Sequence, residues 1–263
     1  MPITPFQTEV LRLLAATRSP ESHVGGGIAI NRAGDSPRFS DDVDLFHNVA
    51  EAVSAAATAD AVVLENAGFQ VDWSIQQPSM YRAKIRRGEE SVGLDWCFDS
   101  AFRFFPIVPD AEFGYVLHRA DLATNKLLAL AGRSEIRDYI DILHLHQTEL
   151  SLGAIAWAAC GKDEGFNPQS LLAMAKRHVR FRQEDLDREQ LRSPLVLREL
   201  KQTWIEAVEQ AETLFAELPA AEAGCLYLDG RGTPVNAVPT SAEFASLIKH
   251  FGSLHGAWPK LAG

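Results

Sequence analysis

Gly25 to Phe46 reads GGGIAINRAGDSPRFSDDVDLF, and this stretch decides the fold. It divides into a glycine turn, a polar connection and an acidic-apolar run. Asp42-Val43-Asp44-Leu45-Phe46 alternates and then turns wholly apolar, the pattern of a strand with one face on a core. Residues two apart on a strand share a face, so Asp42 and Asp44 stand side by side. At that spacing two carboxylates repel by roughly 3–4 kcal/mol at an effective dielectric near 20, and a cation or a proton must sit with them. Magnesium takes oxygen ligands in this way and keeps positions open for phosphates. Upstream, His23-Val24 leads into Gly25-Gly26-Gly27 and then Ile28-Ala29-Ile30. That order predicts strand, glycine turn and helix start, where backbone N–H groups can meet a phosphate. A tight turn and two solvated acids on an edge strand would give the same letters.

Working outward, Thr4-Pro5-Phe6 reads as a helix start, with Phe6, Val10, Leu13 and Leu14 as its apolar stripe. A second helix spans Asn48 to Gly68. Three period-two runs follow, Phe69–Ile75, Met80–Ile85 and Val92–Phe98, with a turn at Arg87-Gly88-Glu89-Glu90. They are expected to extend the aspartate-bearing sheet as antiparallel strands. Asp95 lies in mid-strand between Leu94 and Trp96, where an unpartnered carboxylate is costly. Arg82, Lys84 and Arg86 share one strand face, either a solvated face or a contact for a polyanion.

Together the glycine turn and the string R-x-S-x-D-V-D-L-F, with Arg38, Ser40, Asp42, Asp44 and Phe46 in register, resemble the AbiEii/AbiGii toxin branch of the nucleotidyltransferase superfamily. A second block is similar to that family as well. It runs from Lys126-Leu127-Leu128-Ala129-Leu130 through Arg133 to Arg137-Asp138 and Asp141. The resemblance covers residues 20–148. It implies an α+β fold: a nucleotidyltransferase-like mixed sheet flanked by helices over residues 1–120, then a mainly helical region, 121–263, completing the active-site cleft. It implies transfer of a nucleoside monophosphate from a nucleoside triphosphate, with Mg2+ or Mn2+ on Asp42, Asp44 and Asp95. Gly25, Gly26, Gly27, Arg38, Ser40 and Lys126 would hold the nucleotide. Lys126 would face the triphosphate, and Asp138 would orient Lys126 or the attacking group. The acceptor would be an RNA end, such as that of a tRNA, or a protein hydroxyl, and a cognate antitoxin would be the partner. The chain departs from the superfamily where a Ser or Thr usually follows the glycines, since Ile28 follows Gly27. That departure favours the alternative of an inactive module that only binds a nucleotide or a partner.

Composition bounds the rest. The chain has 263 residues, is 46% hydrophobic and carries a formal charge of −10. It can bury a full core, and the charge argues against a general nucleic-acid binder while leaving room for a local basic surface. No run approaches the roughly 20 apolar residues of a membrane span, and Cys97, Cys160 and Cys225 lack metal-type spacing. A reducing cytoplasm is the expected location. Within the second block, Asp121–Ala131 reads as a helix stopped by Gly132, and Ser134 as the cap of the next. There Ile136, Ile140 and Leu143 form a stripe, Arg137 can pair with Asp141, and His144 and His146 read as boundary residues. Beyond residue 150, helices are expected over Leu152–Cys160, from Asn167-Pro168 to a basic cluster at Lys176–Arg182, and from Ser193-Pro194 to Leu218. An Asp229-Gly230 hairpin and a last helix over Ser241–Phe251 close the chain.

Overall fold

Thr4 opens the first helix through a reciprocal cap: its hydroxyl accepts from the Gln7 N–H at 3.1 Å, and the Gln7 side chain accepts from the Thr4 N–H at 2.9 Å. In the computed structural model, which describes residues 3–260, the chain divides into two units: Met1–Ala101 with Pro106–His118, and Phe102–Phe105 with Arg119–Gly263.

The first unit is built on a seven-stranded mixed sheet. Its elements are α1 (Pro5–Ala15), β1 (Ser22–Gly25), α2 (Gly26–Ile30), β2 (Asp42–His47), α3 (Ala50–Asn66), β3 (Gln70–Gln77), β4 (Met80–Arg87) and β5 (Glu90–Phe98). The strand β6 (Phe102–Arg103) belongs to the second unit, and β7 (Val108–Asp110) and β8 (Gly114–Val116) complete the first. Strand order is β3-β4-β5-β2-β1-β8-β7. The aspartate strand β2 is therefore interior, antiparallel to β1 and parallel to β5, and not an edge. Its alternation is complete. Val43, Leu45 and His47 are buried, while Asp42, Asp44 and Phe46 form the half-exposed face.

Beneath the sheet, α3 carries a fully buried Asp60. Arg18 holds this carboxylate at 2.5 Å, and the Trp96 indole donates to it at 2.8 Å. The sequence gives no sign of this ion pair, whose members lie 42 residues apart. Burial, followed by the Arg18 charge, pulls the nearby His47 imidazole down to about 4, so it is neutral at physiological pH.

The second unit has the helices α4 (Arg119–Gly132), α5 (Ile136–Thr148), α6 (Leu152–Ala159), α7 (Pro168–His178), α8 (Gln183–Leu186) and α9 (Leu197–Glu217). Two small ribbons pair β9 (Cys225–Leu228) with β10 (Ile248–Phe251), and β6 with β11 (Ser253–Leu254). The fully apolar α6 packs between α4 and α9. Gly153 lets it close on α9, since a Cβ there would come within 3.0 Å of the Ala211 Cα.

Several local expectations are corrected here. Ser134 does not cap α5, because its hydroxyl donates to the His178 carbonyl and the helix starts only at Ile136. His144 is buried, not a boundary residue. The long helix begins at Leu197, three residues beyond Pro194, with α8 preceding it. After Asp229 the chain turns tightly, held by the Asp229 side chain accepting from Arg231 and Thr233, but only a single bridge, Leu228 to Pro234, follows. The true partner of β9 is β10, so the end of the expected last helix, Ile248–Phe251, is strand. Only Phe244–Ser246 is helical there, a single 3-10 turn. His250 explains the change: within β10 its ring is buried, 2.8 Å from the Phe104 carbonyl, an anchor that a helix could not supply.

Candidate nucleotide and metal site

In the first unit the glycine turn and the aspartate strand close on each other. Gly25 lies opposite Asp44 in the β1–β2 register. Gly26 has φ +61°, and a Cβ on it would sit 1.7 Å from Asp44 Oδ2. Only glycine combines that backbone with that contact. A side chain at Gly25 would strike the Phe46 ring, and one at Gly27 would meet Arg38 Nη2 and Ser40 Oγ, both at 2.9 Å. Every glycine of the turn is thus pressed against a residue of the downstream motif. A side chain at position 27 would therefore need the Ser40 hydroxyl and the Arg38 guanidinium to shift.

The connection between the two halves is ordered by buried polar groups. Asn31 Nδ2 donates to the Gly27 carbonyl at 2.9 Å, and the Ser36 hydroxyl donates to Asn31 Oδ1 and to the Arg38 carbonyl. Gln7 Nε2 donates to the Ser40 carbonyl. Sequence reasoning missed Asn31, Ser36 and Gln7, each of which acts on the backbone of the motif and carries no chemistry of its own.

Across the sheet, Asp44 is in register with Asp95, and Asp42 with Gly93. Residues opposite one another share a face, so the three carboxylates lie on the same side of β2 and β5. A Cβ at Gly93 would come within 2.1 Å of Asp42 Oδ1, a second cradle kept open by a missing side chain. Asp95 is buried, and Arg82 forks onto it with Nε and Nη2 each at 2.6 Å. The fork, with burial opposing it, raises the Arg82 guanidinium further above its already high value. Both Asp95 oxygens are thus engaged, and among the described residues no three acidic, imidazole or thiol side chains converge as a finished metal cage. Asp42 and Asp44 nevertheless fit a hard divalent cation: two half-exposed oxygen donors on one face, with a Cβ-free approach beside each. The neighbouring Cys97 supplies no nucleophile, because burial and then the Asp95 and Asp44 charges push its thiol up to about 12.

Of the basic strand, Arg82 is taken by Asp95 and Arg86 by Asp72. The cross-strand acids neutralise much of that face.

In the second unit, Lys126 and Asp138 form one buried cluster. Lys126 Nζ donates to Asp138 Oδ1 at 2.8 Å and lies 3.1 Å from Asp141 Oδ2, and Arg133 grips Asp138 from the other side at 2.7 Å. Burial works against the Asp138 charge, yet Lys126 and Arg133 outweigh it and hold the carboxyl below its ordinary value. The Lys126 ammonium is therefore held within a buried ion-pair cluster by Asp138 and Asp141.

The model of the family described as "Nucleotidyl transferase AbiEii toxin, Type IV TA system" matches residues 12–222. The chain belongs to the AbiEii nucleotidyltransferase toxin family. Its fold is similar to that of MenT4, a nucleotidyltransferase toxin of Mycobacterium tuberculosis H37Rv, at a TM-score of 0.53 and 16% identity over 82% of this chain and 83% of that one. JHP933 from Helicobacter pylori aligns at a TM-score of 0.47 and 18% identity, over 81% and 93% of the two chains. No curated protein sequence matches the chain. The AbiEii match begins in α1 and ends after α9, so it includes the glycine turn, the aspartate strand and the Lys126 cluster. This chain is therefore a nucleotidyltransferase of the AbiEii family, with an α+β fold whose mixed sheet is flanked by helices. Among its described residues, no helix is long and apolar enough to cross a membrane.

For this AbiEii protein, Gly26→Ala is expected to disable the site while sparing the fold. The left-handed backbone costs a non-glycine residue about 1–2 kcal/mol, and the new methyl must displace the Asp44 carboxylate. Denaturation should show that modest loss, whereas the transfer rate should fall by more than about tenfold, the scale set by disturbing a positioned group. Full activity in a folded Gly26→Ala protein would show that the Asp44 position is irrelevant to transfer.

Proposed function

We propose that this AbiEii enzyme moves a nucleoside monophosphate from a nucleoside triphosphate to a hydroxyl at an RNA end, tRNA-like in kind, using Mg2+ or Mn2+. One observation carries the proposal: Asp42 and Asp44 share a face, each with a glycine backbone pressed against its carboxylate. When bound, a divalent ion neutralises charge on the attacking and leaving oxygens of such a transfer. Asp42 and Asp44 would ligate it, with Asp95 as third ligand or as base for the acceptor proton. The acceptor oxygen attacks the α-phosphorus, the bond to the β-phosphate oxygen breaks, and pyrophosphate leaves. The Gly25–Gly27 backbone, buttressed by Arg38 and Ser40, would receive the phosphates. The family resemblance assigns Lys126 to a phosphate and Asp138 to orienting Lys126, and their 2.8 Å contact supports the second of these roles. The cognate antitoxin implied by the type IV family is the proposed partner. Three free thiols suit a reducing cytoplasm.

A protein hydroxyl is the second reading, favoured by the net charge of −10, which repels RNA. Incubation with each labelled triphosphate, total tRNA and cell lysate decides between them. Label in RNA supports the first reading and label in protein the second. No label anywhere with Mg2+ or Mn2+ overturns both. If RNA is the acceptor, its binding should weaken steeply with salt, and removing one phosphate contact, for example by Arg182→Ala, should lower the logarithmic slope by about one. Salt-independent binding would argue for the protein acceptor.

A further inference from the structure

Arg82 meets the carboxylate face at Asp95, and its fork consumes both oxygens of that residue. The two partners differ in freedom. Asp95 has a side chain only 9% exposed and fixed in the sheet, whereas the Arg82 side chain is 47% exposed and can swing into water. A guanidinium and a hard divalent cation compete for the same carboxylate lone pairs. Asp42 also acts on Arg82 through its charge, so the guanidinium answers to the acidic face and not to Asp95 alone. Four residues along the same strand and on the same face, Arg86 pairs with Asp72 of β3, on the opposite side of β4 from Asp95. The strand therefore supplies its own control.

We propose that Arg82 is a built-in counter-cation: it balances the acidic face while no metal is bound and releases Asp95 when a divalent ion arrives. This rests on the reading of Asp42 and Asp44 as metal ligands. A buried Asp95 beside other carboxylates needs a counter-charge in the empty state, and a guanidinium tethered to the neighbouring strand supplies one without closing the face. Metal entry is then an exchange of one cation for another at Asp95. Arg82 is a positioning residue in this scheme, because it acts through Asp95.

The test uses the full-length wild-type protein and Mg2+ alone, followed by the arginine Nε–H signals in nitrogen-edited NMR. The Arg82 signal, assigned by its loss in Arg82→Lys, should move toward the position of a free guanidinium as Mg2+ is added. The backbone amides of Gly25–Gly27 and Asp44 should shift together with it, and Arg86 should stay still. Amides that respond while Arg82 does not would overturn the exchange and leave the metal reading standing. No response anywhere at saturating Mg2+ would overturn both. Arg82→Lys keeps the charge but cannot fork, so Mn2+ should bind that variant roughly tenfold more tightly than wild type. The gain should vanish when Asp95→Asn is the background. Unchanged or weaker Mn2+ binding by Arg82→Lys would equally overturn the proposal.

Discussion

Replacing Asp44 or Asp42 with Asn is expected to abolish nucleotidyl transfer and leave the metal-free fold as stable as before, or slightly more so. The substitution keeps size and polarity and removes one charge from a face where Asp42, Asp44 and Asp95 lie in adjacent register. Their mutual repulsion in the empty site is a cost, and the Arg82 fork offsets it at Asp95. Losing one charge relieves that cost and also removes a ligand that metal and triphosphate need. The activity loss should be at least about two orders of magnitude, the scale of deleting one preorganised charge contact. Asp44 should be the more sensitive position, because the turn is built around it: Gly25 faces it in register and Gly26 touches its carboxylate. Carboxylates held purely for structure would behave in the opposite sense, with Asn costing about 1–3 kcal/mol through lost charge-assisted bonds. The deciding measurement is chemical denaturation of wild type and both Asn variants with and without Mg2+, beside a transfer assay. Metal-free variants that are markedly destabilised yet still active would sink the catalytic assignment.

What the sequence shows and what it hides divides along the range of the interactions. Asp42 and Asp44 share a face because strand alternation is local, and the buried Val43, Leu45 and His47 make that face legible two residues at a time. The Thr4 and Asn167 caps and the left-handed Gly68 and Gly88 are local too, and structure and sequence agree there. The interior place of β2 is not legible, because it needs β1 on one side and β5 on the other. Nor is the Arg18–Asp60–Trp96 cluster, whose members come from three separated segments. Ile248–Phe251 fails for the same reason. Its helical composition yields to pairing with β9 and to the His250 contact with Phe104, both set by the tertiary fold. At the site, the closeness of Gly27 to Arg38 and Ser40 is likewise tertiary, since the residues are 11 and 13 positions apart.

Lys126→Met should cost about 3–5 kcal/mol of stability, the largest effect on folding expected here, since it strips a cation from two fully buried carboxylates. Asp138 keeps Arg133, but Asp141 loses a contact at 3.1 Å. Lost activity in this variant therefore says nothing by itself about catalysis, and the pH dependence separates the two effects. The Asp138 carboxyl is held below its ordinary value in the folded protein, so its charge contributes stability above the unfolded carboxylate pKa, near 3.9, and that contribution is lost as pH falls through the lower folded value. Without Lys126 the folded value rises, and the variant loses less on acidification than wild type does. The stability gap should accordingly be widest near neutral pH and narrow as pH falls below about 4, toward the lower folded value. Ligand binding to the folded fraction supplies the second readout: a cation that meets the β- or γ-phosphate should cost triphosphate binding far more than monophosphate binding. Equal losses for both nucleotides, with the pH-dependent gap intact, would leave Lys126 as a core counter-ion for Asp138 and Asp141 and remove it from the reaction.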